Sequence, residues 1–66
     1  MIYDNVCYWA KKRGLTIHQI EKRGLIGNGI IAKWKESEPS LKNLQKVANV
    51  LNVSIQTLMR EPKEDD

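Results

Sequence analysis

A single cysteine, a single histidine, two prolines and no phenylalanine narrow what this 66-residue chain can be. Cys7 has no partner for an intramolecular disulfide, and Cys7 with His18 cannot supply the four ligands of a structural zinc. Apolar runs never exceed a few residues, far short of the ~20 a bilayer-spanning helix needs. The opening Met1-Ile2-Tyr3-Asp4 lacks the charged-then-apolar pattern of a secretory leader. Only Tyr3, Tyr8, Trp9 and Trp34 are aromatic, so the core must be largely aliphatic. A chain this short makes one domain, near the lower limit for a core without staples. The expectation is an intracellular, soluble, stand-alone domain with no cofactor and no membrane partner.

The net charge of +3 is unevenly spread. Residues 1–35 hold seven Lys/Arg against Asp4 and Glu21, or +5, whereas residues 36–66 hold four against six acids, or −2. Four of those acids, Glu61, Glu64, Asp65 and Asp66, fall in the last six residues, so residues 1–60 alone carry +6. A basic body suits a polyanion, because Lys/Arg contacts to phosphate release counterions. A solvated charged surface is the other reading of the same numbers.

Glycine and proline cut the chain into short segments of helical periodicity, and none alternates long enough to make a strand. Residues 3–13 place Val6, Trp9, Ala10 and Arg13 at steps of three and four, with Asp4 near the favourable start of the helix dipole and Gly14 at its end. Thr16 is an N-cap for a second helix from Ile17 to about Arg23, closed by Gly24. Residues 27–35 read as a third helix with Ile31 and Trp34 inward. Pro39 breaks the chain, and Ser40 caps a fourth helix bearing Leu41, Leu44, Val47, Ala48 and Leu51. Asn52 stops it, Ser54 caps a short fifth helix with Ile55, Leu58 and Met59, and Pro62 ends the order. The acidic tail 61–66 is expected to be disordered. The expected core is Val6, Trp9, Ala10, Leu15, Ile20, Ile26, Ile31, Trp34, Leu44, Val47, Ala48, Leu51, Val53 and Leu58.

Two short helices joined by about three residues form the helix-turn-helix unit, whose second helix enters the DNA major groove. The stretch from Leu15 to Leu58 resembles the phage repressor and Cro-type (XRE) helix-turn-helix family. Gly14-Leu15-Thr16, Gln19-Ile20, the run from Ile26 to Trp34, Pro39-Ser40-Leu41 and Leu44 match it in order. Val47-Ala48, Leu51, Asn52-Val53-Ser54 and Leu58 complete the match with its most specific spacing. The resemblance implies an all-α, compact five-helix bundle of lambda-repressor-like form, with the helix-turn-helix at the second and third helices over residues 1–60. It implies a bacterial or phage-encoded cytoplasmic regulator, a repressor, acting on double-stranded DNA as a homodimer.

Four positions depart from the family. Glu21 stands where Ala usually packs the second helix on the third, so its charged head should leave the seam or meet a Lys or Arg. The usual turn glycine falls at Leu25, with Gly24 one residue early; a positive φ at Leu25 would be strained, so the turn should be redrawn. Gly27 replaces a Ser/Thr cap, and Ile30 replaces a small hydroxyl residue.

By the resemblance, the base-reading face is Asn28, Gly29, Ala32 and Lys33. Asn28 can pair bidentately with adenine, Lys33 can donate to guanine, and Ala32 can meet a thymine methyl. Gly29 lets the backbone approach. The plainer alternatives are a first-turn asparagine and a solvated lysine. Phosphate contacts fall to Thr16, Ile17 and His18 at the second helix N-terminus, and to Lys35, Ser40, Lys42 and Asn43 at the far end. His18 read only as an exposed helix residue is the competing view, and Glu36 and Glu38 oppose phosphate there. Ile55 and Met59 are the expected dimer contacts, with ordinary partial burial as the alternative.

An enzyme is not expected: Cys7 and His18 lie on different helices, and Gly27-Asn28-Gly29 is no phosphate-cradling loop. The competing function is a protein-interaction module on the same fold, an antitoxin or antirepressor. Glu36, Glu38, the acidic tail and exposed Cys7 and Tyr8 favour it.

Overall fold

The computed structural model describes residues 1–60 and contains helices and turns without a strand among them. The expected disordered tail, residues 61–66, lies outside the described residues. In chain order come α1 (Ile2–Arg13), α2 (Ile17–Gly24), a 3₁₀ helix (Ile31–Lys35), α3 (Leu41–Leu51) and α4 (Ile55–Met59). Four α-helices and one 3₁₀ helix therefore replace the five helices expected, and the third is the one that differs.

The starts of α2, α3 and α4 share one device. Thr16, Ser40 and Ser54 are extended, and each side-chain oxygen accepts the N–H three residues on, from Gln19 at 3.1 Å, Asn43 at 3.2 Å and Thr57 at 3.1 Å. Gln19 returns the favour, its Oε1 accepting the Thr16 N–H at 2.8 Å in a full capping box.

The ends of α1, α2 and α3 share another. Gly14, Leu25 and Asn52 are left-handed, and the next residue donates back across six positions: Leu15 to the Ala10 carbonyl, Ile26 to Glu21, Val53 to Ala48. In this closure the residue after the left-handed one is apolar and folds onto the helix. That is why Leu15 and Val53 sit half-buried on the core edge, with Ile26 fully inside. The turn after α2 is therefore not redrawn: Leu25 takes φ 57° itself. The bond from the Ile26 N–H back to the Glu21 carbonyl goes with it.

The third helix is shorter and tighter than its sequence suggests. Gly29 has φ 84°, which interrupts any α-helix begun at Gly27. Pro39 holds Glu38 out of the helical region on the other side. Only Ile31–Lys35 remain, and the bonds from Lys33 N–H to the Ile30 carbonyl and from Glu36 N–H to Lys33 close the shorter 3₁₀ rings. At three residues per turn, Ile31 and Trp34 still fall on one buried face.

Of the other expected core residues Trp9, Leu15 and Val53 are half-buried against the core, and the rest are enclosed. No helix here would persist alone in water, since isolated helices below ~12–15 residues are marginal. One polar side chain of α1, Asn5, joins the core. Asn5 donates from Nδ2 to the carbonyls of Leu58 at 2.6 Å and Arg60 at 2.9 Å, tying α1 to the end of α4. Arg13 donates from Nε to the Leu51 carbonyl at 2.8 Å while its guanidinium lies 5.1 Å over the Trp9 ring.

Candidate nucleic-acid interface

The connection from α2 to the 3₁₀ helix carries a buried carboxylate, Glu21, beside the apolar side chains of Ile26 and Ile31. Glu21 does not leave the seam, nor does it pair with a Lys or Arg among the described residues. It is 4% exposed, and its Oε2 accepts the Ile31 N–H at 3.1 Å. The carboxylate thus caps the start of a helix whose own flanking residue, Ile30, has no capping side chain. Periodicity could not reveal this role; the one signal was a charged residue where the resembling family has alanine.

Asn28, Gly29, Ala32 and Lys33 are all exposed and lie within six residues of one another, on a segment whose Ile31 and Trp34 are buried. All four residues expected to read bases are therefore solvent-accessible. Their setting differs from the expectation: Ala32 and Lys33 lie on the 3₁₀ helix, while Asn28 and Gly29 lie in the turn before it. Gly27 is not the cap, and its carbonyl instead accepts the Ile30 N–H at 3.2 Å.

The phosphate candidates fall in two groups. Thr16, Ile17 and His18 open α2, with Thr16 and His18 exposed and Ile17 half-buried against the core. Ile17 and His18 keep first-turn N–H groups that point out of the helix start. At the other end Ser40 and Lys42 are exposed and Asn43 is half-buried, with Ser40 Oγ engaged by the Asn43 N–H. Lys35 separates from both groups, its Nζ 5.1 Å over the Tyr3 ring of α1. Glu36 and Glu38 are exposed between Lys35 and Ser40.

The two residues expected at a dimer contact differ in setting. Ile55 is half-buried against the core, whereas Met59 is exposed and lines a groove of about 480 Å³ with Met1, Ile2, Pro39 and the loop 36–38. Cys7 and Tyr8 are half-buried rather than exposed. The Tyr3 hydroxyl shares a hydrogen bond with the Cys7 thiol, which pushes its pKa up from the ordinary tyrosine value. Tyr8 packs edge-on against Trp9, with ring centroids 5.4 Å apart, and carries the Lys12 ammonium over its face. Among the described residues no helix is long and apolar enough to cross a membrane.

A helix-turn-helix family model matches residues 8–58, from the middle of α1 to the last turn of α4. No curated protein and no solved structure matches the chain.

Proposed function

Because the chain belongs to the Cro/repressor-type (XRE) helix-turn-helix family of DNA-binding transcription regulators, we propose that it is a sequence-specific repressor. It binds an operator as a homodimer, seating the turn 27–30 and the 3₁₀ helix in the major groove. The observation that supports this best is the exposed set Asn28, Gly29, Ala32 and Lys33 on a segment anchored from behind by buried Ile31 and Trp34. Asn28 reads adenine, Lys33 reads guanine, and Ala32 touches a thymine methyl, with each good bidentate pair worth ~1–3 kcal/mol of discrimination. Gly29, without a side chain, brings backbone close to the base edges.

Phosphates are held on one side by Thr16 and by the N–H groups of Ile17 and His18, and on the other by Ser40, Lys42 and Asn43. Lys35 contributes charge from its seat on Tyr3. Met59, with Ile55 beneath it, supplies the two-fold contact. The experiment is an affinity selection from a random duplex pool at physiological salt. A two-fold symmetric motif with half-sites one DNA turn (~34 Å) apart is the expected outcome.

Exposed Glu36 and Glu38 favour a second reading, a protein-interaction module of antitoxin or antirepressor type, because carboxylates repel phosphate at that end of the site. Weak, salt-labile binding with no recovered motif would carry that reading instead.

A further inference from the structure

We propose that Glu21 is the positioning residue of the DNA-reading segment, holding it at both ends. The inference rests on the reading role proposed above for residues 28–33. At the near end the Glu21 carbonyl accepts the Ile26 N–H at 2.8 Å. At the far end its carboxylate accepts the Ile31 N–H at 3.1 Å. Gly27, Asn28, Gly29 and Ile30 lie between these two bonds, so one residue of α2 brackets the stretch that carries Asn28 and leads into Ala32 and Lys33.

Apart from Ile30, partly buried against the core, little else ties that stretch to the rest of the domain. Gly27 and Gly29 have no side chains to pack, and a Cβ at Gly29 would meet nothing within 4 Å. The remaining bond within it, Ile30 N–H to the Gly27 carbonyl, is internal and fixes no orientation relative to α2. The 3₁₀ helix packs on α1 rather than broadly on α2. Its placement relative to the start of α2 therefore rests on the shared apolar core, through Ile26, Ile31 and Trp34, and on one polar tie, the Glu21 carboxylate.

Base contacts carry discrimination and phosphate contacts carry general affinity. Loosening the clamp should accordingly lower the preference for the selected site over random duplex while leaving random-duplex binding and its salt slope unchanged. The test compares wild type with Glu21→Ala, which removes the acceptor, and Glu21→Gln, which retains an amide oxygen. Two readouts are taken: the affinity ratio between selected and random duplex, and amide hydrogen exchange at Ile31.

Glu21→Ala should lose ~10-fold or more of the ratio, the scale of one misplaced base contact. Its Ile31 amide should exchange faster, by ~10-fold, as expected for the loss of a buried hydrogen bond. Glu21→Gln should keep both readouts near wild type. If the alanine variant does not fold, Glu21→Met, similar in size and lacking an oxygen, takes its place. An acceptor-free variant with a wild-type ratio and a protected Ile31 amide overturns the proposal, as does a Glu21→Gln variant that behaves like the alanine one. A wild-type protein that prefers no sequence overturns the repressor reading instead, and the Ile31 exchange rates then decide whether Glu21 holds the segment.

Discussion

Replacing Leu25 with glycine should make this protein more stable, and the gain follows from its backbone. Leu25 sits at φ 57° and ψ 41°, in the left-handed region, as the residue that closes α2. For an L-residue with a Cβ that conformation costs ~1–2 kcal/mol. Glycine removes the cost but gives the unfolded chain extra freedom, worth ~0.4–1 kcal/mol against it. The side chain contributes little in return, since Leu25 is 85% exposed. The net expectation is a gain of ~0.5–1 kcal/mol, or ~2–8 °C in Tm for a domain of this size. Gly24 does not already supply this relief: it lies outside the left-handed region, and a Cβ there would come within 3.2 Å of Ile26 Cδ1 and 3.4 Å of Val50 Cγ2. Urea and thermal unfolding followed by Trp9 and Trp34 fluorescence would measure the effect, with an unchanged m-value as the control for two-state behaviour. A Leu25→Gly protein no more stable than wild type would mean that Leu25 is not left-handed in solution and that the turn after α2 takes another path.

Trp34→Ala should cost ~3–5 kcal/mol and leave the domain largely unfolded by circular dichroism, because Trp34 is 5% exposed beneath the reading face; a cooperative transition near the wild-type midpoint would contradict that placement. Asn5→Ala strands two carbonyls at the end of α4 and should cost ~2 kcal/mol in urea unfolding, whereas a change within experimental scatter would show that those bonds are not made in solution. Lys33→Ala should relax preference at one position of the half-site; an even loss over all sequences, with a salt slope smaller by ~1, would demote it to a phosphate contact. Removing residues 61–66, which carry four acids against Lys63, should tighten binding to random duplex at low salt, and an unchanged affinity would rule out the tail as an electrostatic competitor.

The sequence displayed most of the scaffold because the scaffold rests on local rules. Thr16, Ser40 and Ser54 are caps by residue type, Gly14 and Asn52 are left-handed stops by residue type, and the buried aliphatic positions recur at helical spacing. What the sequence concealed depends on groups that meet only in three dimensions. Asn5 and Glu21 are polar, so no hydrophobic pattern points inward at them, and their partners lie 53 and 10 residues away. The third helix departs from its sequence pattern for a related reason. Gly27 and Gly29 permit helix and turn alike, and in the structure Gly29 takes φ 84° while the Ile31 N–H finds its acceptor on α2. A helix starting at residue 27 would hold Asn28 on its first turn; the structure puts Asn28, exposed, in the turn before the 3₁₀ helix.

The two unusual residues of the motif act on one geometry but in different ways. Leu25 accepts backbone strain so that Ile26 can bond back to Glu21 and the chain can leave α2 at the required angle. Strain of this sort persists only where the surroundings over-determine it, and here the over-determination comes from Ile26 in the core and from the Ile31 bond to the Glu21 carboxylate. Leu25→Gly relieves the strain without moving the turn, so it should raise stability and leave sequence preference intact. Glu21→Ala removes a restraint without relieving strain, so its main effect should fall on preference. A Leu25→Gly protein that gains stability but loses preference would show that the leucine, exposed as it is, helps to set the groove geometry, and the division of labour argued here between the two residues would have to be abandoned.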